Sequence, residues 1–268
     1  MTHILRPLSL GRLLDETFDI YRHNFLLFLG ISAIPNVVLL LMKLALGNRS
    51  VARSGPELFI VLTLLLSSIG TLFVSSIVTA ATTFAVSDIY LDSPTTIRSC
   101  FSRVNGKAWR VVYVSFIVGL IVGFGMLLCL VPGIYFAGMY GVAIPAAVLE
   151  KISGNQALGR STELTRDSVG RVIVVYFLTA IFAITVAAGL NAGVEALGSH
   201  LLYSGTFSKM ALSEVIASLA TIVFGPISAI GLTLTYYDLR VRKEAFDIQH
   251  MMSQLSATRE MAAGATPQ

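Results

Sequence analysis

Acid–base catalysis, metal binding and ion coupling all draw on carboxylates, and this chain has only 15 Asp and Glu residues. Counting along its apolar runs places each of them at an interface. Glu195 and Glu214 fall about 24 residues from the cytoplasmic ends of their spans, ~35 Å away, and so flank an outer loop. Solvated charges are their ordinary use there; the sharper reading is a paired external binding or proton-accepting site near Asn191. Asp88, Asp92, Glu163 and Asp238 are the acids that one interface could gather if the chain were a membrane lipid enzyme.

Hydroxyls and amides are the other candidates. Ser68, Thr71, Ser75, Thr79 and Thr82 recur at steps of three and four, which is one face of a helix. Such a stripe lets helices approach closely; the alternative is a water-lined path, although hydroxyls alone neither hold an ion tightly nor relay protons. Asn36, near ~17 Å depth beside Pro35, needs a partner. An interhelical hydrogen bond, aided by the carbonyl that Pro35 leaves unpaired, is favoured over substrate contact. Histidines 3, 23, 200 and 250 are scattered, and HExxH, GxSxG and GxxxxGK[ST] patterns are missing. These residues assign no catalytic group, metal site or cofactor, and no enzyme activity is expected.

The elements that hold these residues follow from composition. With 55% hydrophobic and 13% charged residues and a mean hydropathy of +0.78, the chain is neither disordered nor an ordinary soluble domain. Apolar runs predict six transmembrane helices at about 25–46, 58–87, 111–131, 133–149, 172–197 and 210–237, an all-α polytopic bundle over 1–243 with a cytoplasmic tail at 244–268. The first run is too long, and its leader too acidic, for a cleaved signal peptide. Pro145 and Pro226 should break the fourth and sixth spans as Pro35 does the first. Gly119 and Gly123, followed by Pro132-Gly133, Gly138 and Gly141, read as a tight hairpin. Cys100 and Cys129 lie at opposite ends of one span, too far apart for a disulfide.

Of the 19 Lys and Arg, only Lys43, Arg49, Arg53 and Lys209 fall on one side, so both termini are expected in the cytoplasm of a cell (inner) membrane protein. Outer loops then lie near 47–57, at Pro132-Gly133 and near 198–209. The pI near 9.2 reflects this topology, and no nucleic-acid partner is expected. Arg12, Arg98 and Arg160 each precede an apolar span at a similar distance, suggesting three units of interfacial helix plus hairpin. The first segment has Leu10, Leu13, Leu14, Thr17, Phe18 and Tyr21 on one face. Ser93-Pro94 reads as the start of the second, with Ile97, Phe101, Val104 and Ala108 inward. The third, 153–168, has the smaller inward face Ala157, Ser161, Leu164 and Ser168, suited to packing under the bundle. Tyr236, Tyr237, Asp238, Arg240, Arg242 and Lys243 read as an aromatic belt and basic anchor where the last helix leaves the bilayer.

The run from Leu8 to Phe25 (LSLGRLLDETFDIYRHNF), together with Val131-Pro132-Gly133-Ile134, Ala157 to Arg166 and Tyr236 to Asp247, resembles the glycerophosphoryl diester phosphodiesterase membrane-domain family of bacteria and archaea. That resemblance implies a six-helix membrane domain. In the family this domain is sometimes followed by a soluble phosphodiesterase domain bearing acidic and histidine metal ligands, which this chain is expected to lack. The resemblance therefore transfers no catalytic residue. The leading expectation is a non-catalytic membrane module that scaffolds or regulates a protein partner at the cytoplasmic face, or binds membrane lipids, with homo-oligomers possible. A transporter or permease component comes second, and a membrane lipid enzyme third.

Overall fold

The computed structural model describes residues 9–50, 57–201 and 206–244, and every element among them is an α-helix. The first unit comprises α1 (Leu10–His23), α2 (Phe25–Ser50) and α3 (Glu57–Tyr90). The second comprises α4 (Ile97–Asn105), α5 (Ala108–Leu128), α6 (Leu130–Tyr140) and α7 (Ala143–Leu149), and the third α8 (Gly154–Thr165), α9 (Val169–Leu201) and α10 (Thr206–Glu244). With α6 and α7 sharing one span, six segments are long and apolar enough to cross a membrane. The chain is a polytopic helical bundle in which a short helix followed by a long hairpin occurs three times. The repeat is one of element order rather than register: Arg12 is the third residue of α1, Arg98 the second of α4 and Arg160 the seventh of α8.

Each short helix starts where side chains can take up its free N–H groups. Ser9 Oγ accepts from the Arg12 amide at 3.3 Å, and Gln156 Oε1 accepts from the Ser153 amide at 3.0 Å. Thr96 and Ser99 cap α4 reciprocally at 3.2 Å. The second segment thus begins at Ile97 rather than at the expected Ser93-Pro94. Ser93 instead closes the end of α3, its N–H donating to the Asp88 carbonyl at 2.8 Å.

The apolar faces of the short helices meet protein. Leu13, Ile20 and Tyr21 of α1 are buried against α10, while Phe18 stays 39% exposed in an edge-on contact with Phe182. Ile97 of α4 lies where Gly30 leaves α2 without a side chain; a Cβ there would stand 2.4 Å from Ile97 Cδ1. In α8, Ala157, Ser161 and Leu164 are buried as expected, joined by Thr165 instead of Ser168, and the helix packs under α5, α6 and α7.

The main core joins these helices to the adjoining halves of the spans through Phe28, Ala80 to Val86, Val172 and Ile227 to Leu239. Toward the far face α3, α5 and α9 turn Leu62, Leu65, Phe124, Leu127 and Ile184 outward, the surface that hydrocarbon would cover. The bundle is therefore tightly closed at the short-helix face and looser beyond it.

Two expectations about backbone breaks are corrected. α10 runs unbroken through Pro226, as α2 does through Pro35. The fourth span does break as expected, at Gly141–Val142, four and three residues before Pro145, whose ring has no N–H to offer the Gly141 carbonyl. The α5–α6 turn is centred on extended Cys129, and Pro132-Gly133 fall inside α6. The hairpin contact is Gly125 against Gly133, with 3.0 Å from a Cβ built on Gly125 to the Gly133 Cα. Gly123 faces open space, Gly119 faces Leu72 at ordinary contact distance, and Gly138 and Gly141 receive Ile173 and Val172 of α9.

Candidate functional site

Two polar features lie one above the other in the bundle. The first is an ionic layer at the short-helix face. Asp238 on α10, with no exposed side-chain surface, pairs with Arg171 Nε at 3.3 Å and Arg242 Nε at 3.0 Å. Glu150, which ends α7, accepts from Arg160 Nε at 3.0 and 3.1 Å and from the Tyr236 hydroxyl at 2.8 Å, and Arg240 donates to that hydroxyl at 3.0 Å. Lys243 closes the edge on Asp167 at 3.0 Å and on the Glu163 carbonyl at 2.7 Å. Burial opposes the charge on Arg160, but the hydrogen bonds it donates to Glu163 and Glu150 outweigh this and raise the pKa.

This arrangement corrects the reading of the α10 terminus as an aromatic belt. Tyr236 and Tyr237 are 0% and 4% exposed, and Tyr237 donates to Ser87 Oγ at 2.8 Å while stacking on Tyr90. Nor are the acids gathered into a catalytic set. Asp88 pairs with Arg103, Glu163 with Arg160 at 2.9 Å, and Asp238 with its two arginines, while Asp92 is exposed. Of these pairs, Asp88–Arg103 joins α3 to α4 and Asp238–Arg171 joins α10 to α9, while Glu163–Arg160 and Asp238–Arg242 lie within one helix. Among the described residues no three His, Cys, Asp or Glu are grouped to hold a metal.

The second feature is a cavity of about 760 Å³ between α3, α5, α6, α9 and α10. Ser68, Thr71, Ser75 and Thr79 form one wall, so the stripe faces open space and is not a close helix contact; Thr82 lies beyond it, fully buried. Ser115 of α5 also lines it, its buried hydroxyl without a hydrogen-bond partner among the described residues. Val118, Val122 and Ile144 supply an apolar wall. The α6–α7 break adjoins the cavity at Gly141, and the Met139 carbonyl there accepts from Ser161 at 2.9 Å and Thr165 at 3.1 Å, which satisfies backbone that the broken helix exposes. One helical turn beyond Leu232 in the lining stands Tyr236 of the ionic layer.

Lys43 stands at the far end of the cavity and pairs with Glu214 at 3.4 Å, so Glu214 is tied to α2 and is not simply solvated. Glu195 lies on α9, with its side chain outside the described residues, as is that of Asn191. Asn36 is buried, but it bonds within its own helix, to the Ser32 carbonyl at 2.8 Å, and not between helices. Arg160 and Arg240 meet at Glu150, whereas Arg12 and Arg98 stay apart and exposed on α1 and α4. Glu150 and Arg171 were not singled out from sequence. The usable signal was the i, i+4 spacing of Asp238 with Arg242 and of Tyr236 with Arg240, which puts acid, phenol and guanidinium together on two helix turns.

Compared with known proteins, the chain matches no family model, no curated protein and no solved structure.

Proposed function

We propose that this chain is a non-catalytic membrane module of the cell membrane that takes up an amphiphilic, lipid-like molecule between its helices and offers its short helices to a cytoplasmic protein partner. The cavity carries this reading. A wall of hydroxyls facing a wall of Val and Ile side chains suits a ligand with a polar part and a hydrocarbon part, and poorly suits a bare ion. The resemblance to the glycerophosphoryl diester phosphodiesterase membrane domain agrees with it, since the metal ligands of that family belong to a separate soluble domain. Purified chain should therefore not hydrolyse glycerophosphodiesters.

A transporter component is the second reading. It is favoured by the broken α6–α7 span beside the cavity and by the ionic layer that closes its near end, because discontinuous helices commonly line transport sites. No carboxylate is among the described residues of the lining, so coupling to a proton or sodium gradient is not expected.

Lipid extraction and native mass spectrometry of the purified chain test the first reading. Ser75→Phe with Thr79→Leu should fill the cavity and remove the co-purifying molecule while the protein stays folded by circular dichroism. The same bound molecule on the filled variant would overturn it, and flux in proteoliposomes lost in that variant would favour transport. Cytoplasmic termini are tested by labelling a cysteine placed at Ser50 or Ser204 in whole cells; labelling only after permeabilisation would reverse the orientation.

A further inference from the structure

A second concavity, of about 650 Å³, lies outside the bundle between α4 and the sides of α2 and α3. Its floor is apolar: Ile34 of α2, Ile77 of α3, and Ile97 and Phe101 of α4. Ile34, nine residues into α2, stands roughly 13 Å into the membrane. Its polar edge is Arg98, Ser102 and Asn105, exposed at i, i+4 and i+7 along one side of α4. The groove thus runs from a polar lip down to hydrocarbon depth.

Among the described residues of the lining, Arg98 carries the single charge. Arg103 and Arg160 each have an acid partner, whereas Arg98 has no ion-paired acid among the described residues. A guanidinium flanked by a hydroxyl and an amide matches the two free oxygens of a phosphodiester, and the Ile and Phe floor matches an acyl chain.

From these features we infer that the α4 groove is a binding site for an anionic phospholipid of the adjacent leaflet. The phosphate lies on Arg98, with Ser102 and Asn105 beside it, and one acyl chain lies over Phe101 toward Ile34. A zwitterionic lipid brings a quaternary ammonium to the same positive lip and is disfavoured.

The full chain, in nanodiscs with equal phosphatidylglycerol and phosphatidylcholine, would be released and its retained lipid counted by native mass spectrometry. Wild type should retain phosphatidylglycerol preferentially, and Arg98→Gln should cut that preference about tenfold, as expected for loss of one charge-assisted pair. Ile34→Trp, filling the floor, should lower retention of both lipids. Arg12→Gln, on an exposed arginine of α1, should leave the preference unchanged. Circular dichroism and thermal midpoints identify any variant that fails to fold, and Arg98→Ala, with its different side-chain volume, then serves as the replacement. Equal retention of the two lipids by wild type, an unchanged preference in Arg98→Gln, or an equal loss in Arg12→Gln would each overturn the site. Preferential capture of an acidic protein segment, unaffected by added phosphatidylglycerol, would do the same.

Discussion

Replacing Asp238 by Asn keeps the side chain's volume and removes its charge. The carboxylate has no exposed side-chain surface, and the two guanidinium groups it neutralises are 17% exposed for Arg171 and 36% for Arg242. Removing one partner of a buried pair costs about 3–5 kcal/mol, because the remaining charge stays out of water without compensation. Partial exposure of Arg242 lets solvent screen its share, which sets the expectation near 3 kcal/mol. For a chain of this size that corresponds to a fall of roughly 6–12 °C in Tm, read by thiol-reactive dye or intrinsic fluorescence during heating in detergent and in lipid. Glu214→Gln supplies the contrast. Its pair with Lys43 is more open, so it should cost less than about 1 kcal/mol. Adding Arg171→Gln to Asp238→Asn should recover part of the loss, since it removes a stranded cation. A Tm within about 2 °C of wild type for Asp238→Asn, or strict additivity in the double variant, would refute the buried clamp.

Gly133→Ala should destabilise by about 1–3 kcal/mol, because its Cβ would meet the Met126 backbone nitrogen at 2.7 Å, whereas Gly123→Ala, facing open space, should leave Tm unchanged or slightly raised; thermal unfolding distinguishes them. Ser161→Ala alone should cost little, since Thr165 also bonds the Met139 carbonyl, while Ser161→Ala with Thr165→Val should cost about 1–3 kcal/mol and speed amide exchange around Gly141. Lys107→Met should keep or raise stability. Burial and three neighbouring cations disfavour the folded-state ammonium, so wild-type stability rises as pH climbs toward the ordinary lysine range, and the variant should lose that rise.

The spans and the three short helices were legible because hydropathy and 3.6-residue periodicity report burial against an apolar medium, and lipid and protein interior are alike in that respect. The same likeness hid what faces what. The α3 stripe has the spacing of a close helix contact, yet whether a hydroxyl face meets a helix or a cavity depends on neighbours far along the chain. Gly119 and Gly123 matched a packing motif, while Gly125 and Gly133 make the contact, because the turn at Cys129 sets the rotation of α6 against α5. The tyrosines of α10 carry the composition of a membrane-interface anchor. Their burial follows from Glu150 and from α8, which come together with α10 only in the folded chain.

Tyr21 donates its hydroxyl to the Val223 carbonyl, joining the first helix to the last across 202 positions of sequence. At about 5–20 residues per second, synthesis of the intervening chain takes roughly 10–40 s, during which α1 has no α10 to rest on. Leu13, Ile20 and Tyr21 must wait on the membrane surface or with a chaperone until the sixth span is inserted. Docking of α1 is thereby timed by the ribosome: the helix made first cannot take its place until the last is made, and a chain interrupted before Val223 leaves its apolar face without that cover, a feature that quality-control proteases can recognise.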